Sequence, residues 1–422
     1  MILNRRSFLQ GAAALATAGR ALSIEPPASV PITIDARQVI GPLPHIWEEC
    51  AGSDRAAITL RESWRLDLER WHTEAGIKRV RFHGIFNDAL GVYPSRILGR
   101  TDIPINFQNI DQVYDGLLAR GVSRFVELSF MPTRLSSANR KFGFYGANVS
   151  PPASLEAWAG FIKSFVTHLV DRYGLASVRI WPFEVWNEPN LPPFWSGTQQ
   201  QYFDLDKAPS VAIKSIDEAF QVGGPSTALG QWVAELASYC AQNNAPLDFI
   251  STHIYPGDNQ QQLFGSDRFP QARVVPEVVR RARKAMDDVN LRGNELWLTE
   301  WSSNSPAMIA EVISSCLPYC HALSKWALSG TFEEIFVPDF VLKEGDSGWG
   351  IMARGIALPA FNTYKLLHAL GTERLSAQGP ALASKRNAST IVALIWNLAE
   401  VSQQSGIPVG LPAEGIALLE LG

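Results

Sequence analysis

Two carboxylates carry the chemistry legible in this sequence. Glu188 lies in Ile180-Trp181-Pro182-Phe183-Glu184-Val185-Trp186-Asn187-Glu188-Pro189-Asn190, and Glu300 in Leu296-Trp297-Leu298-Thr299-Glu300-Trp301. Each follows an apolar, aromatic run of strand length, so each carboxyl is delivered at a strand end. A facing pair of this kind can cleave a glycosidic bond. One carboxylate sits beneath the anomeric carbon as oxocarbenium character develops, while the other donates a proton to the leaving oxygen. Glu300 is assigned as the nucleophile and Glu188 as the acid/base. The charge of Glu300 disfavours ionisation of Glu188 until attack removes it, after which Glu188 can serve as base. Asn187 is placed to hydrogen-bond the sugar hydroxyl next to the anomeric carbon, a contact that strengthens in the transition state.

A lone strand-end Glu is more often a helix cap or a surface ion pair, so it is the pairing, with tryptophan flanking both members, that points to catalysis. Glu127 and Glu184 also follow apolar residues; Glu184, deeper on the face of Glu188, reads as part of a polar barrel core. His83 ends Arg79-Val80-Arg81-Phe82-His83 and His253 lies in Ser251-Thr252-His253-Ile254-Tyr255-Pro256, both at strand ends facing the cleft, where they are expected to touch sugar. His45, His72, His168, His321 and His368 read as structural. No His, Cys or Asp cluster has metal-ligand spacing along the chain, so neither metal nor cofactor is expected. Among the aromatics, Trp186, Phe194, Tyr255 and Trp349 are near enough to stack on sugar rings, and Trp195 and Trp301 are the expected exposed platforms.

The elements that position these residues alternate between strand and helix. Strands are expected at His45–Cys50, Arg79–His83, Arg124–Phe130, Val178–Trp186, Ala219–Gly224, Asp248–His253, Glu295–Thr299 and Leu323–Ser329, with amphipathic helical patterns between them. Eight such units, each taking roughly 30 to 40 residues, specify an α/β fold, a (β/α)8 TIM barrel, in which Glu188 closes strand four and Glu300 strand seven. Val30–Val39 reads as an edge strand, and Thr390–Asn397 and Gly415–Leu421 as short alternating strands, so the two chain ends form a small accessory β-sheet or sandwich. The expected division is a signal segment at 1–23, an accessory strand in 24–40, the barrel over 41–371 and the rest of the accessory unit over 372–422. Long loops at Arg134–Pro152, Pro256–Pro270 and Phe336–Gly350 would wall the cleft.

The 422 residues are 46% hydrophobic with 13 Trp and 21 Phe, enough for a core with aromatics left over for sugar; 18% charge and a net charge of −4 argue against a nucleic-acid surface. Asn4-Arg5-Arg6-Ser7-Phe8-Leu9-Gln10, followed by an Ala-rich apolar run, resembles a twin-arginine export signal, which implies a periplasmic or secreted protein; no run is apolar enough to span a membrane. Cys50, Cys240, Cys316 and Cys320 lack CxxC spacing and are expected to be buried thiols.

On these residues the chain resembles glycoside hydrolase family 39, best known for retaining β-xylosidases. The likeness runs from about Ile46 to Leu370 and includes Leu60-Arg61-Glu62-Ser63-Trp64, Val80-Arg81-Phe82-His83-Gly84, Phe125-Val126-Glu127-Leu128-Ser129-Phe130, Trp186-Asn187-Glu188-Pro189, His253-Ile254-Tyr255-Pro256 and Leu298-Thr299-Glu300-Trp301. The resemblance implies Glu188 as acid/base and Glu300 as nucleophile, with His83, Asn187, His253, Tyr255 and one of Glu333 or Glu334 lining the subsite of the released sugar. It departs from the family at Gly330, where Asp is usual, at Leu328, where Phe is usual, and in its short C-terminal segment. Neutral Tyr255 favours a neutral sugar such as xylose over a uronic acid. Three functions remain: an exo-acting β-xylosidase, the leading one; an endo-acting hydrolase of an exopolysaccharide; and a carbohydrate-binding protein without catalysis, which the intact Glu188, Glu300 and Asn187 disfavour.

Overall fold

The computed structural model describes residues 31–143, 145–265, 269–330, 349–353, 355–398 and 416–421. Parallel strands form its centre: Ala51–Arg55, Arg79–His83, Ser123–Arg124 continued by Val126–Leu128, Pro182–Val185, Gln221–Thr227, Phe249–His253, Glu295–Trp301 and Ala322–Lys325. The third strand is interrupted at Phe125; its first half pairs with the second strand and its second half with the fourth. The eighth pairs with the first through Lys325 and Ala51, so the sheet closes into the expected eight-stranded barrel.

The helices around it bury apolar stripes against the strands. In Gln271–Asp288 the buried residues include Val274, Val275, Val278, Val279, Ala282 and Met286, a single face at helical spacing. Ser154 caps the helix Leu155–Tyr173 and Thr198 caps Gln199–Lys214, each by accepting a backbone N–H, which satisfies donors the helix leaves open.

Several boundaries differ from expectation for local reasons. The His45–Cys50 run is a turn beneath the barrel, and the first strand begins at Ala51. Leu175–Val178 is a short helix, so the fourth strand starts only at Pro182. Helix Pro306–Cys316 ends with Leu317 still helical, and Pro318 follows with no N–H to continue the ladder.

The barrel interior is layered. At its N-terminal end Phe125, Phe249 and Trp297 meet with ring centroids 5.3–6.1 Å apart and, with Cys50 and Ala322, form an apolar plug. Above the plug the layer is charged: Arg81, Glu127 and Glu184 are all buried. Strand alternation explains it, because Arg81 shares a face with His83 while Val80 and Phe82 turn outward into the helix-packed core.

The N-terminal strand Thr33–Pro42 pairs antiparallel with Glu373–Gln378, followed by Ala381–Lys385, Ile391–Trp396 and Ile416–Leu421, so the two ends do build one accessory sheet. Its inner residues Leu382, Val392, Leu394 and Trp396 join the main core, and Trp396 Nε1 donates to Glu311 Oε2 at 3.0 Å. All four cysteines are buried free thiols. No helix among the described residues is long and apolar enough to cross a membrane, and the export-signal segment lies outside those residues.

Beneath the fifth strand, Asp206 is buried with neither carboxylate oxygen hydrogen-bonded, and burial pushes its pKa up to about 8. The folded protein therefore holds a proton that the unfolded chain releases near pH 4, so this residue's contribution to stability falls as pH rises from about 4 to about 8. Asp206→Asn should raise the melting temperature by several degrees near pH 8 and much less near pH 5, as followed by circular dichroism.

Candidate active site

Glu188 and Glu300 converge at the C-terminal mouth of the barrel. With His253 they place one oxygen or nitrogen each within 4.8 Å of one another. Two local devices aim them. After the fourth strand ends at Val185, Trp186 (φ 72°) and Glu188 (φ 42°) adopt left-handed backbone, an uncommon state for side-chain-bearing residues that turns both Asn187 and Glu188 toward the cavity. In the seventh strand the register slips: Thr252 faces Leu298 but His253 faces Glu300. The extra residue is a bulge, a common way of re-aiming a side chain beside an active site, and it lets Thr299 and Glu300 both reach the interior. The matching slip in the fifth strand, where Ser226 has φ 54°, turns its hydroxyl inward.

Glu300 is held by two donors. Arg81 Nη1 donates to its Oε1 at 2.7 Å and Tyr255 OH to its Oε2 at 2.8 Å. Arg81 also donates to Glu184 Oε2 (2.5 Å), Asn187 Oδ1 (3.0 Å) and Ser226 Oγ (2.9 Å), and its Nη2 lies 2.9 Å from Glu127 Oε2. Burial alone would lower the pKa of this guanidinium, but the charges of Glu127, Glu184 and Glu300 outweigh it and raise it. The pKa of Glu184 is also raised, which here favours the neutral form: burial acts first, opposed by Arg81 and reinforced by Glu127.

His253 Nδ1 lies 3.0 Å from Glu188 Oε1 and 3.6 Å from Glu300 Oε2, while its Nε2 faces Ser226 Oγ and Thr299 Oγ1. Burial, then the charge of Arg81, pushes its pKa well below the usual imidazole value, so the ring between the two carboxyls is neutral. His83 Nδ1 bonds Glu127 Oε2 at 2.7 Å, and its ring lies 4.7 Å from that of Trp326. Gly52 makes room for that indole, because a Cβ there would stand 2.3 Å from it. Asn187 Nδ2 is buried and has no hydrogen-bond partner among the described residues, leaving its two N–H donors available.

Of the expected residues, Glu188, Glu300, Asn187, His83, His253 and Tyr255 come together. Glu333 and Glu334 lie outside the described residues. Trp195 and Trp301 are not exposed platforms. Trp195 is 3% exposed, with its Nε1 donating to Thr198 O and its ring against Trp186. Trp301 is fully buried, because the bulge that turns Glu300 inward sends the next residue outward into the core. Trp349, at the mouth beside Tyr255 (5.5 Å), is the exposed ring instead.

The sequence reading missed Arg81, Ser226, Thr299 and Lys325. Arg81 had a signal, since an arginine two residues before His83 on a buried strand must share its inward face. Ser226 and Thr299 had none, because both depend on bulges. Lys325 is buried, donates to Ser302 Oγ, Trp326 O (3.0 Å) and Trp349 O (3.3 Å), and has its pKa pushed down by burial to about 7.

The sequence model of Glycosyl hydrolases family 39 matches residues 30–403. A beta-xylosidase of Caldicellulosiruptor saccharolyticus is 35% identical over 366 residues, covering 82% of this chain and 73% of that protein. A beta-xylosidase of Geobacillus stearothermophilus is 31% identical over 374 residues, covering 83% and 74%. The crystal structure of a monomeric beta-xylosidase from Caulobacter crescentus CB15 superposes with a TM-score of 0.80 at 32% identity, covering 88% of this chain and 78% of that one.

Arg81→Lys tests how the site is held. Lysine keeps the charge but cannot reach five groups at once, so thermal stability should fall by about 3 kcal/mol and turnover at least about 100-fold, as read by calorimetry and kinetics.

Proposed function

The chain belongs to glycosyl hydrolase family 39, and from that premise we propose that it is a retaining β-glycosidase that releases xylose from β-xylosides. The observation that carries the mechanism is the closeness of the two carboxyls, whose oxygens approach within 4.8 Å. An inverting enzyme needs a wider gap, about 6.5–9.5 Å, to seat a water between carboxyl and sugar, whereas about 5–5.5 Å suits direct attack.

In the first step Glu300, oriented by Arg81 and Tyr255, attacks the anomeric carbon while Glu188 gives its proton to the departing glycosidic oxygen. The glycosyl–Glu300 ester forms as the glycosidic bond breaks. In the second step Glu188 takes a proton from water, the hydroxide oxygen bonds the anomeric carbon, and Glu300 leaves as carboxylate. Neutral His253 serves both steps. An imidazolium 3.0 Å from Glu188 would favour its carboxylate and weaken it as an acid. A spare Nδ2–H of Asn187 donates to the hydroxyl next to the reacting carbon.

The choice of sugar rests on the beta-xylosidases among the relatives and on a pocket whose cations are engaged. Arg81 faces three carboxylates and Lys325 is held by neutral acceptors, which suits an uncharged sugar. The twin-arginine segment supports action outside the cytoplasm.

Aryl β-xyloside should be cleaved faster than aryl β-glucoside or α-arabinoside, with the β anomer appearing first by proton NMR. Activity confined to polymer would favour the endo-acting reading, and an α product would overturn the assignment of Glu300. Azide separates the two roles. Glu188→Ala with azide should yield the β-glycosyl azide by capture of the ester, and Glu300→Ala should yield the α-azide by direct displacement, from a background at least about 1000-fold below wild type.

A further inference from the structure

At the opposite end of the barrel, three side chains that the catalytic reading leaves unused meet on one point. His45 and Glu48 lie in the turn before the first strand, and His368 ends the helix Pro359–His368. Glu48 Oε1 is 2.6 Å from His45 Nδ1 and 2.9 Å from His368 Nδ1, and the three atoms lie within 4.8 Å of one another. We propose that His45, Glu48 and His368 form a Zn2+ site that fastens the accessory sheet to the base of the barrel.

Tautomer chemistry supports an ion here. His45 Nε2 lies 3.4 Å from the carbonyl oxygen of Gly371, which can only accept, so the ring proton belongs on Nε2. His45 Nδ1 then turns a lone pair toward Glu48 Oε1, an arrangement that either a proton or a metal ion on that nitrogen would relieve. A backbone carbonyl on the remote nitrogen is the usual way in which a metal-binding histidine is oriented. Trp47 stacks on the same ring at 4.5 Å and fixes its plane.

The donor set selects the metal. Two imidazoles and one carboxylate suit Zn2+, which completes a tetrahedron with water. The side chain of Glu48 is 7% exposed and that of His45 13%, so two ligands are fixed, while that of His368 is 45% exposed and leaves a way in for ion and water. Bonds of about 2.0–2.1 Å place tetrahedral ligands roughly 3.4 Å apart, so each histidine nitrogen must draw back from Glu48 Oε1 by roughly half an ångström to one ångström.

The position gives the ion a task. Both chain crossings between barrel and accessory sheet pass this point, with Leu43 N donating to Thr372 O at 2.7 Å and Gly371 N to Ser384 Oγ at 2.8 Å. A metal bridging 45–48 to 368 would bind the two crossings together.

The test uses the full chain without an affinity tag, stripped with EDTA and titrated with ZnCl2 by calorimetry and by thermal unfolding. One Zn2+ should bind per chain with micromolar or tighter affinity, and the melting temperature should rise by about 3 °C or more. His45→Gln and His368→Ala should each weaken that binding at least about 10-fold and abolish the thermal shift, with metal-free turnover unchanged. His368 is exposed enough for its variant to fold and so decides the matter alone if the His45 variant does not. Zn2+ at Glu188, His253 and Glu300 would inhibit turnover equally in wild type and variants, which distinguishes the two clusters. An unmoved melting temperature, or equal binding by wild type and His368→Ala, would overturn the proposal.

Discussion

One buried guanidinium organises the catalytic end of this barrel. Arg81 has no contact with solvent, yet it touches Glu127, Glu184 and Glu300. Carboxylates at these distances in a low-dielectric interior would repel one another and lose their hydration, and burial of each without a partner would cost several kcal/mol. Arg81 compensates because its planar fork donates in several directions at once, which a lysine ammonium cannot do with the same reach. The raised pKa of Glu184 marks the limit of that compensation, since one cation does not neutralise several acids. Orientation follows from the same contacts: Asn187 Oδ1 and Ser226 Oγ accept from the guanidinium, so Glu300, the amide and the hydroxyl beside His253 share one reference point.

The backbone has to deviate from ideal strand geometry for this to happen. A regular strand sends alternate residues to opposite faces, which would put Thr299 and Glu300 on different sides of the barrel wall. The bulge in the seventh strand brings both inside, where Thr299 donates to Glu184 Oε1 at 2.9 Å and Glu300 faces Glu188. Left-handed backbone at Trp186 and Glu188 does comparable work at the fourth strand, and packing holds it there: Trp186 Nε1 donates to Phe194 O, and Glu188 N to Ser226 O at 2.8 Å.

That geometry explains what the sequence disclosed and what it hid. The barrel was legible because buried strands and amphipathic helices alternate at spacings fixed by their periods, and the accessory sheet because its strands alternate in hydrophobicity. Glu188 and Glu300 were legible as a pair, because two acids flanked by tryptophan close apolar runs whose spacing puts both at one mouth of the barrel. Trp301 was misread because of the bulge that turns Glu300 inward: one inserted residue reverses the facing of its neighbour. Trp195 looked free because it lies outside a strand, but loop tryptophans also pack, and this one closes over Trp186. His45 and His368 are far apart in sequence, and only the barrel's closure brings its first turn and last helix together at Glu48.

The charge balance of the mouth bears on catalysis directly. A glycoside passes through a cationic transition state, so an interior that stays negative favours it, and every added positive charge opposes it. Burial limits those additions. It drives His253 to its neutral form between the two carboxyls and weakens the hold of Lys325 on its proton, pushing its pKa to about 7. Lys325 binds the carbonyl of Trp349, whose ring packs against Tyr255, and Tyr255 donates to Glu300, so this lysine supports the wall of the pocket chiefly through hydrogen bonds. Arg81 stays charged, and it faces acids that outnumber it. The site thus keeps the cation it needs to hold Glu300 in place and uses burial to suppress the charges that would compete with the sugar.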